Sequence, residues 1–242
     1  RQRQMCIRDR DMQLISEAYS LLKNRKGLDN DAMAVVFDEW NGGELDSFLI
    51  EITANILRFR DEDGKPLLDK ILDVAGQKGT GKWSAIAAMD ENDPLTLITE
   101  AVYARLLSAL YPERIKAARL YSGKLKVESG KLSDNAQLST FNFQLSIEDV
   151  RQALYAAKLI SYAQGFSLLR HASEHYGWDL DYGTIARIWR KGCIIRSVFL
   201  QKITEAYRKD PDLENLLFDD FFHTKIQAVS YTHLRAHETR HD

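Results

Sequence analysis

The sequence predicts an all-α domain, and three observations carry that prediction. Apolar residues recur at three- and four-residue spacing along most of the chain. Only 4 prolines and 13 glycines interrupt its 242 residues. No stretch of useful length alternates apolar and polar residues, as a half-buried strand must.

The elements follow in order. Met12, Ile15, Ala18, Tyr19 and Leu22 form one stripe, predicting a helix over Asp11–Lys26 that Gly27 ends in a left-handed turn. Asn30 or Asp31 can cap the next helix, which runs through Met33, Val36, Phe37 and Trp40 to Gly42-Gly43. Ser47 opens a third, with Phe48, Ile52, Ile56 and Phe59 on one face. Residues 61–66 are a polar turn, and 67–72 a short apolar helix or strand that period alone does not decide. A glycine-rich loop, Gly76 to Trp83, follows. Pro94 suits a helix start, and the helix from there to Leu110 is apolar nearly all round, which predicts a buried element. Pro112 starts another helix ending near Gly123. Residues 122–139 are polar and aperiodic, a long connection. Ser146 and Asp149 have capping-box spacing. The helix they open continues to Tyr176, about 31 residues or roughly 46 Å. Shorter helices are expected at Asp181–Lys191, Ile195–Lys209 and Leu213–Ala228.

Composition excludes several function classes. A net charge of −2 gives no global pull toward nucleic acid or an anionic membrane, so an anion site must be built locally. No apolar run is long enough for a membrane span, and no secretory h-region follows the first arginines. Cys6 and Cys193 give neither a disulfide framework nor metal-ligand spacing. A reducing, cytoplasmic setting is the simplest expectation.

The most informative segment is Ile71-Leu72-Asp73-Val74-Ala75-Gly76-Gln77-Lys78-Gly79-Thr80-Gly81-Lys82-Trp83. Its glycines allow a tight turn that points successive N–H groups one way, an anion-binding concavity. Lys78 and Lys82 add charge, and Thr80 adds a hydroxyl. A plain helix-to-helix turn with solvated lysines is the bland alternative. Gly76-x-x-x-x-Gly81-Lys82 also matches a nucleotide-binding P-loop up to its last position. Trp83 stands there in place of Ser or Thr, and Ser84 comes one residue late. One residue turns a helical side chain by about 100°, so the hydroxyl misses the metal.

The loop resembles the signature of the 6-phosphogluconate dehydrogenases, with every fixed position present through Trp83. Further matches are Asp11-Met12-Gln13-Leu14-Ile15, Trp40-Asn41, the run Ser47 to Thr53, and Trp189 to Ser197. The resemblance covers Asp11 to about Ala228. It implies a multi-helix C-terminal-type domain with a long central helix and no Rossmann domain. It further implies a pentose-phosphate-pathway enzyme that oxidises and decarboxylates 6-phosphogluconate with NADP, as a homodimer without metal. By the resemblance, Lys78 and Thr80 contact the substrate's phosphate region. Arg105, in Ala101-Val102-Tyr103-Ala104-Arg105, grips the phosphate itself. A guanidinium is suited to that, being bidentate and charged at any working pH. An Asp or Glu partner for Arg105 is the alternative.

The family's catalytic stretch, Lys-x-x-His-Asn-Gly-Ile-Glu-Tyr-Gly, directly precedes its Asp-Met-Gln-Leu-Ile. Here Arg1 stands at the lysine, Arg8 at the glutamate and Asp9 at the tyrosine; only Ile7 agrees. Arginine is neither acid nor base at neutral pH. No Gly-x-Gly-x-x-Gly fingerprint appears, so no cofactor-binding residue is named. The expectation is the substrate domain of such an enzyme, cut off at both ends and inactive alone, with no catalytic or metal residue of its own. Residues 1–10 and 229–242, with MCIRDR and SYTHLRAHETR, resemble translated sequencing adaptor and read as foreign; 11–228 is the domain. His233, His237 and His241 have helical spacing but fall in that tail, and His171 and His175 read as surface or capping residues. The four tryptophans read as core or interface packing, and Cys193 as a buried thiol. From another class, a non-catalytic helical scaffold or dimerisation module that inherited the loop fits the same pattern.

Overall fold

The computed structural model describes residues 2–76, 79–121, 145–190 and 193–238, with side chains at 7–76, 79–120, 145–190 and 193–229. Ten α-helices occur among them: α1 (Gln2–Asn24), α2 (Asn30–Asn41), α3 (Phe48–Arg58), α4 (Thr80–Asp90), α5 (Thr96–Ala109), α6 (Tyr111–Tyr121), α7 (Ile147–Tyr176), α8 (Tyr182–Trp189), α9 (Leu200–Lys209) and α10 (Asp220–Glu238). Two 3-10 turns, Leu67–Lys70 and Leu216–Phe218, complete them. The all-α expectation holds: the described residues include no strand, only the isolated bridges Ser47↔Ser197 and Arg60↔Pro66.

The long helix α7 has 30 residues and starts as its capping box requires. Ser146 Oγ accepts the Asp149 N–H at 3.0 Å, and the Asp149 carboxylate accepts the Ser146 N–H at 2.8 Å. Gly177 ends it with a left-handed φ of 64°. α1 lies along α7 and also touches α2, α3, α4 and α5. The core between them holds Leu22, Met33, Phe37, Ile50, Leu57, Leu159, Phe166 and Phe199, all buried. Tyr162 is buried too; its hydroxyl donates to the Ile195 carbonyl at 2.8 Å and its ring meets Phe199 edge-on at 4.8 Å.

Several sequence expectations need correction. α1 begins at Gln2 rather than Asp11, and α10 runs on to Glu238 rather than ending at Ala228. The α2 cap is Asp29, one residue before Asn30, because its carboxylate accepts the orphan Ala32 N–H at 2.8 Å. α3 buries Leu49, Ile50, Ala54 and Leu57, while Ile56 and Phe59 are exposed. Residues 195–199 are not helical, because their backbone pairs with the entrance to α3. Phe48 N–H donates to Arg196 O, and Val198 N–H to Asp46 O, each at 3.1 Å. α5 is not buried all round. α1, α4 and α7 cover Ile98, Ala101 and Val102, but Tyr103, Leu106 and Leu107 face outward. The connection expected over 122–139 lies outside the described residues.

Candidate functional site

The glycine-rich loop hangs on α5 and α6. The Ala75 N–H donates to Ser108 Oγ at 3.0 Å. Arg114 pairs with the Asp73 carboxylate and also donates to the Asp73 and Ser108 carbonyls at 3.2 and 2.9 Å. Arg105 Nη1 donates to the Gly76 carbonyl at 3.1 Å. Three side chains thus set residues 73–76 before the chain turns into α4. Gly79 makes the turn with a φ of 87°, a left-handed value that disfavours any Cβ. Thr80 is the first residue of α4 and is half-buried. Lys78, the third expected site residue, lies outside the described residues. The structure therefore brings Arg105 to the loop.

Gly81, one residue into α4, is a close approach. A Cβ there would stand 2.9 Å from Val102 Cγ2 on α5 and 3.3 Å from Asp9 Oδ2 on α1. The Asp9 carboxylate is thus seated against the first turn of α4, where exposed N–H groups favour negative charge. Its Oδ1 lies 3.4 Å from Arg105 Nη2 and accepts from Arg8 Nε and Nη2 at 2.9 and 2.6 Å. All three side chains are largely buried: Asp9 is 8% exposed, Arg105 15% and Arg8 16%. The sequence reading set phosphate against an acidic partner for Arg105. The guanidinium is both at the loop and ion-paired. Next along α1, Arg10 pairs with Glu100 of α5 at 3.0 Å.

Sequence reasoning missed Asp9, and also the ion pair that seats α1. Lys158 of α7 is 1% exposed, and its Nζ contacts Asp11 Oδ1 at 2.6 Å and Ser47 Oγ at 3.3 Å. Met12, a residue later, places its sulfur 3.9 Å from Arg105 Nη2. It also lines an apolar cleft of about 700 Å³ between α1, α3 and residues 68–73.

The other candidates resolve into packing. His171 meets the buried Asp93 at 2.6 Å and His175 meets Glu91 at 2.8 Å, fastening the α4–α5 connection to α7. Trp40 and Trp189 are buried, while Trp83 and Trp178 are exposed. Cys193 is half-buried, its sulfur accepting the Ile195 N–H at 3.4 Å. The described residues hold no metal-competent cluster of His, Cys, Asp and Glu, and no helix among them is long and apolar enough to cross a membrane. The side chains of His233, His237 and His241 lie outside those described. A dinucleotide needs a strand–turn–helix cradle; the described residues offer none, so they do not fit NADP.

Comparison with known proteins agrees with this geometry. Residues 6–237 match the family profile of the 6-phosphogluconate dehydrogenase C-terminal domain. The chain is 56% identical over 218 residues to the decarboxylating 6-phosphogluconate dehydrogenase of Rattus norvegicus, covering 89% of this chain and 43% of that protein. It is 54% identical over 229 residues to the human enzyme of that name, covering 95% and 45%. Among solved structures, Plasmodium falciparum 6-phosphogluconate dehydrogenase, studied apo, with its cofactor NADP+ and with its substrate 6-phosphogluconate, superposes with a TM-score of 0.84 at 40% identity. That match covers 98% of this chain and 49% of the other. The chain thus spans less than half the length of these relatives. With its helical architecture, signature loop and coverage together, the chain belongs to the 6-phosphogluconate dehydrogenase family, as the C-terminal domain.

Proposed function

We propose that this chain is the substrate-binding and dimerisation part of an NADP-dependent 6-phosphogluconate dehydrogenase, which converts 6-phosphogluconate to ribulose 5-phosphate and CO2 in the cytoplasm. Residues 11–228 make up the working domain in this reading, and 1–10 and 229–242 are foreign to it. One observation carries the reading: a largely buried guanidinium, Arg105, is held at the glycine-rich loop beside the first turn of α4. Guanidinium, helix N-terminus and loop N–H groups are the chemistry that grips a phosphorylated sugar acid. By the family resemblance, Lys78 and Thr80 contact the phosphate region of the same substrate. NADP supplies the hydride-accepting chemistry in the full enzyme and is held by other residues than these.

The chemistry of this chain is therefore binding without turnover. Arg8 stands where an acid is needed, and its guanidinium neither gives nor takes a proton at neutral pH. The purified chain given 6-phosphogluconate and NADP should produce no NADPH absorbance above background. It should still be stabilised against heat by 6-phosphogluconate, and a Lys78→Ala, Arg105→Ala double variant should lose that stabilisation. Turnover, or stabilisation indifferent to both residues, overturns the reading.

The dimerisation role rests on an exposed apolar stripe. Trp83, Ile86 and Met89 of α4, and Tyr103, Leu106 and Leu107 of α5 with Leu110 just past its end, recur at helical spacing and are all exposed. Exposed apolar residues gathered along each helix in this way are the chemistry of an interface. Leu107→Glu should turn a dimer into a monomer in light scattering. A helical scaffold that only inherited the loop would dimerise through the same stripe yet ignore 6-phosphogluconate, so the two measurements separate the readings.

A further inference from the structure

We propose that Asp9 is a built-in occupant of the anion site, so that this chain's own carboxylate competes with phosphate for Arg105 and weakens its binding. The inference rests on the cradle reading of Arg105 and deepens it. Three independent contacts define the carboxylate's seat. Its Oδ2 lies against Gly81 in the first turn of α4, 3.3 Å from where a Cβ would stand. Its Oδ1 is 3.4 Å from Arg105 Nη2. The same oxygen takes two hydrogen bonds from Arg8, at 2.9 and 2.6 Å. A helix N-terminus and two guanidinium groups converge on one buried point, and that is a recipe for an anion site. An aspartate fills it.

The occupant is internal, so its effective concentration is high and independent of any ligand. A phosphate reaching Arg105 must first displace the carboxylate, or share the guanidinium with it. Sharing brings like charges together in a place only 8% open to solvent on the Asp9 side, where screening is weak. Displacement in turn strands a carboxylate that Arg8 had satisfied. Either route lowers the affinity. Arg8 strengthens the block, because its two hydrogen bonds fix the Asp9 oxygen that faces Arg105. The resembled family pattern has tyrosine at this place, a neutral residue that does not neutralise Arg105.

The test is anion binding by isothermal titration calorimetry on the full 242-residue chain, with inorganic phosphate and 6-phosphogluconate as separate probes. Asp9→Asn keeps the shape and removes the charge. It is expected to tighten binding of both probes about tenfold, the usual effect of deleting one competing charge at this range. Asp9→Ala serves as a second variant, and circular dichroism establishes that each is folded. Arg105→Ala, alone and combined with Asp9→Asn, should remove the gain. If wild type and Asp9→Asn bind equally and Arg105→Ala loses binding, the cradle stands and the competition by Asp9 is wrong. If neither wild type nor Asp9→Asn binds either probe, both ideas fall. A third measurement needs no variant: phosphate added to wild-type chain should shift the carbon NMR signal of the Asp9 carboxylate, and a signal that stays put while phosphate binds Arg105 also refutes the competition.

Discussion

Replacing Lys158 with methionine should be among the most damaging single changes available outside the cradle. Its Nζ touches both oxygens of Asp11, at 2.6 and 2.8 Å, and Ser47 Oγ at 3.3 Å. The lysine side chain is 1% exposed and the aspartate 3%. Methionine fills the lysine's volume but leaves a buried carboxylate with no cation. Breaking one half of such a pair costs about 3–5 kcal/mol. At about 2–4 °C per kcal/mol for a chain of this size, the melting temperature should fall by about 6–20 °C. Removing both charges is a different perturbation. With Asp11→Asn added to Lys158→Met, no bare charge remains, and most of the loss should return. The pair should therefore be strongly non-additive, by about 2 kcal/mol or more. Urea unfolding of wild type, both single variants and the double variant, followed by circular dichroism at neutral pH, reads all four corners. A Lys158→Met cost below about 1 kcal/mol, or additivity within about 0.5 kcal/mol, would refute the claim that this pair seats α1 on α7.

Four further outcomes follow from the same structure. Gly79→Ala forces a Cβ into a backbone with φ 87° and should cost about 1–2 kcal/mol. Gly81→Ala places a Cβ 2.9 Å from the stiff Val102 side chain, and should cost about 1–3 kcal/mol while weakening binding of 6-phosphogluconate; melting curves and calorimetry check both. Burial pushes the phenol of Tyr155 up to about 12 and holds Tyr162 and Tyr207 well above their ordinary 10.0. The fold thus favours the neutral phenols, so their contribution is whole below pH 10 and lost at higher pH, for Tyr155 as pH rises through about 12. A phenolate absorbance titration should show these three ionising only as the protein unfolds, and early ionisation of all ten tyrosines would count against it. Burial raises the Glu44 carboxyl, but ion pairs from Lys225 and Arg151 outweigh it and hold the group below its ordinary 4.5. Glu44→Gln should therefore cost at most about 1 kcal/mol at neutral pH, with solvent screening. That difference should persist above 4.5 and vanish as pH falls through the lowered value; a penalty that grows in acid contradicts the assignment.

The fold was legible where local chemistry decides it. Ser146 and Asp149 announce their helix because a hydroxyl and a carboxylate three residues apart satisfy orphan N–H groups reciprocally. Gly27 and Gly177 mark helix ends because both adopt left-handed φ, 68° and 64°. The glycine loop was legible too, and with it the approach of Arg105. What lay hidden was mostly long-range. Asp29 rather than Asn30 caps α2, a one-residue ambiguity among three polar neighbours. The apolar girth of α5 does not say which side the domain covers, since period reports amphipathicity and not the presence of a neighbour. Asp9 was seen only as a mismatch to a pattern, and its meeting with Arg105 spans 96 positions, 105 − 9. Lys158 carried a readable sign: it falls three and four residues from Tyr155 and Tyr162 on the apolar face of α7, where a lysine must find a buried anion.

These contacts make α5 the element through which the core governs the cradle. Its first turn is tied to α7, where Gln164 Oε1 accepts the Leu97 N–H at 3.1 Å and Gln164 Nε2 donates to Thr96 Oγ1 at 2.8 Å. Its buried side, Ala101 and Val102, meets α1 and α4, with Val102 touching the turn at Gly81. Its last turns hold residues 75 and 76 through Ser108 and Arg105. The loop has no buried apolar residue of its own, since Ile71, Leu72 and Val74 are exposed. Its geometry is therefore borrowed from α5, and α5 in turn takes its seat from α7 and from the charged start of α1. The Lys158–Asp11 pair fixes the register of α1, and Asp9 lies two residues before Asp11 on that helix. The most deeply buried ion pair thus sets the position of the carboxylate that faces Arg105, which is how a contact in the core reaches the anion site.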